Sequence, residues 1–216
     1  LLGVAAATFI GFFNGVCITK LRMVSLIETL AMMIILQGAL LAVTQGKTLT
    51  NMSDGYVWIG QATIGGWPVM PLVYVAALIV VGFMLKRTVF GRSIYAVGGN
   101  AAAANSAGVP VDRVKIITYT ISGFLAGVGG FLLASWQMAI TSNQGSSYLL
   151  YAIAAPIIGG VSVFGGRGTI LGVLGGVMLL TVIQVGLAII SVPSFYVCMI
   201  GGFMIFIAVA IDAIRV

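Results

Sequence analysis

The residue types that most often carry out catalysis are scarce in this chain of 216 residues. It contains no histidine, and its two cysteines, Cys17 and Cys198, lie within apolar stretches. Without histidine, the usual zinc sites and histidine-based catalytic triads are excluded, and the two cysteines show no metal-ligand spacing. We therefore expect no catalytic residue, no metal site, no cofactor and no enzymatic activity.

Two glycine-containing segments match a phosphate-binding loop only in part. Gly46, Lys47 and Thr48 resemble the end of that motif, but Leu41 stands where its first glycine belongs. The segment 160–165 has the glycine spacing and is then followed by glycine instead of lysine. Because a lysine and a strand-to-helix turn hold the phosphates in such loops, we expect any nucleotide to be bound by another chain.

Polar side chains inside apolar stretches are the remaining candidates for a function. Glu28 is the one acid predicted within a membrane span, but its place in the first turn of a helix favours interaction with the helix dipole and nearby lipid headgroups. Four neutral amides could line a path for a hydroxyl-rich solute, although holding helices together is their commoner use. They are Asn14, Gln37, Gln137 and Gln184.

The composition is that of an integral membrane protein. The chain is 61% hydrophobic and 6% charged, whereas soluble domains are about 25% charged. Seven apolar segments approach the length of about 20 residues that a helical span needs: 1–19, 26–45, 69–85, 116–140, 148–164, 169–190 and 193–211. We expect an all-α polytopic membrane protein, a helical bundle of about seven spans, with residues 1–216 forming a single transmembrane domain.

Glycine and proline mark two features of these spans. Segment 148–164 is short and contains Pro156, Gly159 and Gly160, which favours a broken or partly re-entrant helix. Glycines also recur every fourth residue and so make flat helix faces for close packing. The sets are Gly168, Gly172 and Gly176, then Gly123 with Gly127, and Gly11 with Gly15.

Segment 86–115 is the one sizeable hydrophilic interruption and contains five of the ten basic residues. If it is cytoplasmic, alternation of the spans places four more on the same side: Lys20, Arg22, Arg167 and Arg215. This arrangement satisfies the positive-inside rule and explains the net charge of +6 without nucleic-acid binding, which we do not expect.

The residue types within segment 86–115 also predict a short helix. Gly98 and Gly99 interrupt the chain, Asn100 is a good N-cap, 101–107 favours a helix, and Gly108 would end it.

Several blocks of residues resemble one family of transporters. They are 91–100 (GRSIYAVGGN), 106–111 (SAGVPV), 153–155 (IAA), 158–160 (IGG) and 165–170 (GGRGTI), with weaker matches at 46–47 and 66–68. In this order they resemble ABC-importer permeases of the ribose, xylose, arabinose and galactoside type, which are related to branched-chain amino-acid permeases. The resemblance covers essentially the whole chain and implies about three further spans upstream, so that this chain would be an N-terminally incomplete permease.

The resemblance implies a set of partners in the bacterial cytoplasmic membrane. Two permease subunits, identical or related, would form a pore within the lipid, ABC ATPase subunits would dock below, and an extracytoplasmic binding protein would deliver a sugar or similar small polar solute. Segment 100–108 would be the coupling helix, seated in a groove of the ATPase. The residues implied in coupling are Arg92, Ser93, Tyr95, Gly98, Gly99, Asn100, Ala104 and Gly108.

The chain departs from the family pattern at some positions, and the sequence allows an alternative function. Family members carry an acidic pair where this chain has Leu149 and Tyr151, which leaves the solute undefined. An ATP-independent secondary transporter is the alternative function, although the sequence offers no paired acids in its spans for an ion relay. The alternative interpretation of the helix in 86–115 is an interfacial helix that only marks the membrane boundary.

Overall fold

The computed structural model describes residues 1–48, 54–141, 144–146, 148–163, 165–193, 196, 199–204, 206 and 210. The chain divides into two compact units, Leu1–Met84 with Gly108–Gln144 and Leu85–Ala107 with Gly145–Val216. The single-domain organisation expected over 1–216 stays a prediction. About half of the seventh expected span, 193–211, together with Cys198 and Arg215, lies outside the described residues.

The described residues are mainly helical. In chain order the elements are α1 (Leu2–Lys20), α2 (Ser25–Thr44), α3 (Asp54–Gln61), β1 (Thr63–Ile64), β2 (Trp67–Pro68), α4 (Val69–Arg87), α5 (Val89–Gly99), α6 (Ala101–Ser106), α7 (Val111–Gln137), α8 (Tyr148–Ile158) and α9 (Ile170–Ile189). The two-residue strands pair antiparallel, with Thr63 opposite Pro68.

Five helices are long and apolar enough to cross a membrane: α1, α2, α4, α7 and α9. This confirms an all-α polytopic membrane protein. The helix α8 has 11 residues and is about 16 Å long, which is too short to cross the hydrocarbon core of about 30 Å. This agrees with the broken helix expected in 148–164. The helix α7 begins at Val111 instead of 116 because Pro110 precedes it and Asp112 suits its positive end.

In the first unit, α1 and α7 pack through the expected glycine faces. A Cβ placed on Gly11 would lie 2.5 Å from the Tyr119 carbonyl oxygen, and one on Gly123 would lie 2.5 Å from the Ala7 carbonyl oxygen. Gly15 is likewise in contact with the backbone of α7. The two backbones therefore touch directly, which only glycine allows at these positions.

In the second unit, α8 and α9 pack in the same way. Gly159 lies against the Gly172 carbonyl, and Gly176 lies against the Ala155 carbonyl. Gly168 does not belong to this face because it precedes the helix and contacts the Val161 side chain instead. The close approach buries Ala155 together with Ala154 and Leu180.

Candidate functional site

The segment between α4 and α7 folds into two helices, where the sequence predicted one. The additional helix is α5, an amphipathic helix of 11 residues. Thr88 caps it, since the Thr88 hydroxyl oxygen accepts a hydrogen bond from the Gly91 backbone N–H at 3.1 Å. Arg92, Ser93 and Tyr95, which the resemblance implies in coupling, all lie on this helix.

Asn100 joins α5 to α6 and satisfies the ends of both helices. Its backbone N–H donates to the Ala96 carbonyl at the end of α5. Its side-chain oxygen accepts from the Ala103 N–H at 3.0 Å, and its carbonyl accepts from the Ala104 N–H at 2.9 Å. The predicted helix and its cap are therefore present, and no flexible residue separates α5 from α6.

The end of α6 also follows the prediction. The Ala107 N–H donates to the Ala103 carbonyl, and Gly108 then takes a left-handed φ of 82°. A Cβ at Gly108 would meet nothing within 4 Å. Glycine is needed there for the backbone conformation and not for space.

The C-terminal end of α5 is held against a second glycine pair. A Cβ on Gly98 would lie 2.7 Å from the Gly166 nitrogen, and one on Gly165 would lie 2.7 Å from the Gly98 carbonyl oxygen. A Cβ on Gly166 would lie 2.6 Å from the Gly99 Cα. We call this backbone-to-backbone contact of residues 98–99 with 165–166 the glycine clasp.

The segment that meets α5 is a tight turn between α8 and α9. The Ser162 N–H donates to the Arg167 carbonyl at 3.1 Å, and the Gly165 N–H donates to the Ser162 carbonyl at 3.2 Å. Gly165 and Gly166 have φ values of 93° and 75°, a backbone conformation that other residues rarely adopt. The two glycines are therefore required both by the turn and by its closeness to α5.

Tyr95 fixes the far side of the same turn. Its hydroxyl donates to the Gly168 carbonyl at 3.0 Å. The next residue, Thr169, caps α9 by accepting from the Gly172 N–H at 3.1 Å. A continuous set of hydrogen bonds and backbone contacts thus connects α6, α5, the turn and the start of α9.

The side chains of this region divide into buried and exposed groups. Ala104 is 6% exposed and Val97 is 9% exposed, so both support the fold of the segment. Ser93 is half-buried, and its hydroxyl donates to the Val89 carbonyl. The exposed side chains are those available to a partner: Val89, Arg92 and Ala96 on α5, and Ala102, Ala103, Asn105 and Ser106 on α6.

The four amides proposed to line a path are divided between the two compact units, and the path stays a prediction. In its hydrogen-bonding orientation, the Asn14 amide donates to a Glu28 carboxylate oxygen at 3.2 Å and to the Ile10 carbonyl. Gln137 pairs with Gln144. Gln37 on α2 is half-buried, and Gln184 lies on α9, in the other compact unit.

Glu28 is more buried than the sequence suggested. It is 4% exposed, and it is the one residue of α2 that is buried. One of its carboxylate oxygens faces Asn14, while the other has no hydrogen-bond partner among the described residues. Asn14 therefore acts as a contact between α1 and α2. Glu28 lies in the first turn of α2, as expected, but it is buried beside Asn14 and not in contact with lipid headgroups.

Comparison with known proteins agrees with these features. The family model described as "Branched-chain amino acid transport system / permease component" matches residues 1–209. The ribose import permease protein RbsC of Bacillus subtilis (strain 168) is 39% identical over 201 residues, which cover 92% of this chain and 62% of the relative. No solved structure gives a significant match.

Two further relatives have similar coverage. The L-arabinose ABC transporter permease protein AraH of Azospirillum brasilense is 37% identical, over 99% of this chain and 63% of the relative. The autoinducer 2 import system permease protein LsrC of Photorhabdus laumondii subsp. laumondii is 34% identical, over 98% and 62%. The chain thus spans somewhat less than two thirds of the length of these relatives.

The match extends over nearly all of the chain and includes both the α5–α6 segment and the turn that holds it. The five membrane-length helices and the permease relatives together make this a multi-pass protein of the bacterial inner membrane. The chain belongs to the permease-component family of branched-chain amino-acid-type ABC transport systems, which includes permeases for sugar import.

Proposed function

We propose that this chain is part of the permease subunit of a binding-protein-dependent ABC importer that moves a sugar or a similar small polar solute into the cytoplasm. Its partners are ABC ATPase subunits on the cytoplasmic side, a second permease subunit within the membrane, and an extracytoplasmic solute-binding protein. The relatives named for ribose and arabinose import support a sugar.

One observation carries this proposal. The α5–α6 segment is a capped and partly exposed pair of helices that contains Arg92, and it is anchored by backbone contacts to the turn before α9. A helix that only marked the membrane boundary would need an apolar face toward lipid. The exposed residues of α6 are instead small and uncharged, which suits a close fit into a groove of another protein.

In this mechanism the chain transmits movement and performs no covalent step. ATP binding closes the paired ATPases and displaces α6. Asn100 carries the displacement into α5, and the glycine clasp carries it to the turn and to α9. Access to the solute then changes sides because the ATPase-closed state favours one arrangement of the membrane helices.

Arg92, Ser93, Tyr95, Gly98 and Gly99 take different parts in this mechanism. Arg92 is exposed and available to an acidic group of the ATPase, whereas Ser93 bonds within α5 and supports it. Tyr95 and the two glycines hold the turn. Asn100, Ala104 and Gly108 shape α6 itself.

The test is reconstitution of the full-length permease in proteoliposomes with the ATPase and binding protein encoded beside its gene. We expect uptake of radiolabelled D-ribose or L-arabinose that requires ATP on the cytoplasmic side and the binding protein outside. Uptake of either sugar that is driven by an ion gradient and is indifferent to ATP would establish the alternative, an ATP-independent secondary transporter. The buried Glu28 carboxylate is the observation that favours this alternative.

A further inference from the structure

The C-terminal end of α7 contains an open cavity. The helix has 27 residues and is about 40 Å long, so its two ends lie on opposite sides of a bilayer core of about 30 Å. At Met138 the backbone takes a left-handed φ of 52° and leaves the helix. Residues on both sides of this point line an open cavity of about 370 Å³: Trp136, Gln137, Ala139, Thr141 and Gln144.

The polar groups of this cavity have a defined order. The Thr141 backbone N–H donates to the Gln144 side-chain oxygen at 3.2 Å. The Gln144 side-chain nitrogen in turn donates to the Gln137 side-chain oxygen. Each amide oxygen therefore accepts from within the protein, and the Gln137 Nε2 group ends the chain with N–H donors for an oxygen of a ligand.

Trp136 gives the cavity a flat apolar wall. Its side chain is 58% exposed, and none of the lining residues is charged. An aromatic ring that packs against C–H groups, beside amides that bond to hydroxyl groups, is an arrangement suited to a carbohydrate. The volume lies at the low end of the range of about 300 to 1,000 Å³ for small-molecule pockets, which suits a single sugar ring.

The wall behind the cavity is firmly held by α3. The Tyr56 hydroxyl donates to the Phe131 carbonyl at 2.9 Å, and the fully buried Ser135 hydroxyl donates to the Tyr56 carbonyl at 2.6 Å. The Tyr56 and Phe131 rings also meet edge to face, with centroids 4.8 Å apart. This end of α7 is therefore fixed before any ligand arrives, as a binding site requires.

We propose that this cavity is a binding site for a neutral monosaccharide, with Trp136 stacking on the sugar ring and the Gln137 amide donating to a ring substituent. The proposal rests on the proposed function and places the site on the extracytoplasmic side, where the solute enters. Gln144 is a positioning residue because it orients the Gln137 amide.

The test measures discrimination between a sugar and its deoxy analogue. In the reconstituted importer, rates for D-ribose and 2-deoxy-D-ribose are normalised to the amount of assembled transporter. The binding protein is the same for every variant, so a change in the ratio of the two rates arises in the permease. A corresponding ratio for L-arabinose and its deoxy analogues is used if arabinose is the solute.

For the deoxy analogue that lacks the bonded hydroxyl, we expect Gln137→Met to lower the ratio of sugar to analogue import rates by about five- to tenfold. This is the usual effect of one hydrogen bond. Gln144→Met should give a smaller decrease in the same direction. The matched control is Gln61→Met, because Gln61 is an exposed amide at the same end that contacts Met138 but does not line the cavity. Its discrimination should stay at the wild-type value.

Trp136→Leu, compared with Trp58→Leu, separates sugar stacking from membrane anchoring, since both tryptophans are exposed. We expect only Trp136→Leu to lower the import rate of assembled transporter. Unchanged discrimination in both glutamine variants, or a Trp136 variant that loses folded yield alone, overturns the sugar site while leaving the proposed function intact. A wild-type assembly with no ATP-driven sugar uptake overturns both.

Discussion

Replacing Gly98 with alanine tests the glycine clasp directly. The new Cβ would lie 2.7 Å from the Gly166 nitrogen and 3.3 Å from its Cα, whereas ordinary van der Waals contact begins at 3.4 Å. Both are main-chain atoms, so no side chain can rotate away. The turn must therefore move by about 0.7 Å relative to α5, which also disturbs the hydrogen bond between Tyr95 and Gly168.

The magnitude follows from two opposing effects. Overpacking of a tight contact costs about 1–3 kcal/mol, while alanine favours a helix over glycine by about 1 kcal/mol. The net cost to the clasp is then about 0–2 kcal/mol, which corresponds to a change of up to about 30-fold in the population of the clasped state. Because α5 itself gains stability, we expect the loss of coupling to exceed the loss of overall stability.

The neighbouring residue provides a matched control. Gly99 takes part in the clasp through its backbone alone, and a Cβ there would lie 4.0 Å from the Gly166 Cα, so Gly99→Ala keeps the backbone contact and adds no collision. The assay compares sugar uptake per ATP hydrolysed and the thermal unfolding temperature of both variants in the reconstituted importer. Gly98→Ala should uncouple transport and Gly99→Ala should not. Equal uptake per ATP in the two variants would refute the clasp as part of the coupling route.

Three other substitutions give shorter tests. Tyr95→Phe removes the donor to the Gly168 carbonyl and should cost about 1 kcal/mol, seen as about a fivefold lower uptake per ATP; wild-type uptake would contradict this role. Asn100→Ala removes the cap of α6 at a cost of about 0.5–2 kcal/mol, so amide hydrogen exchange in α6 should accelerate and Asn100→Ser should restore it. Gly11→Ala places a Cβ against the Tyr119 carbonyl and should reduce the free energy of unfolding by about 1–3 kcal/mol, measured as a lower unfolding temperature in detergent. An unchanged unfolding temperature would mean that α1 and α7 do not touch at Gly11.

The features that the sequence predicts correctly are the local ones. The cap at Asn100 and the left-handed turn at Gly108 involve residues within a few positions of each other, so their types alone indicate them. The four-residue glycine spacing likewise predicts the close packing of Gly11 with α7, because a flat helix face has few other uses. Five of the seven expected spans are membrane-length helices among the described residues, and these follow from hydropathy in the same way.

The features that the sequence does not reveal depend on distant contacts. Gly91, Gly98 and Gly99 lower the helix propensity of α5. Glycine is needed at 98 and 99 because the turn at 165–166 lies against them, and no local sequence pattern indicates that contact. The signal that could have indicated α5 is Thr88 as a cap before Phe90, Ile94 and Val97 at helical spacing. Glu28 shows the same limit, since only the packing of α1 determines whether an acid near a helix start is exposed.

The nature of the clasp bears on how movement would pass through the chain. A contact between side chains can absorb a small displacement through a change of rotamer, and close-packed interiors transmit strain only where such changes are blocked. At Gly98 and Gly166 the contacting atoms belong to the backbone, so no side-chain rotamer change at this contact can absorb a shift of α5. The turn is in turn closed by its own hydrogen bonds and leads directly into the cap of α9. A partner that displaced α6 would therefore act on α9 through a contiguous series of packed and hydrogen-bonded contacts, which is the kind of network that carries coupling between distant sites.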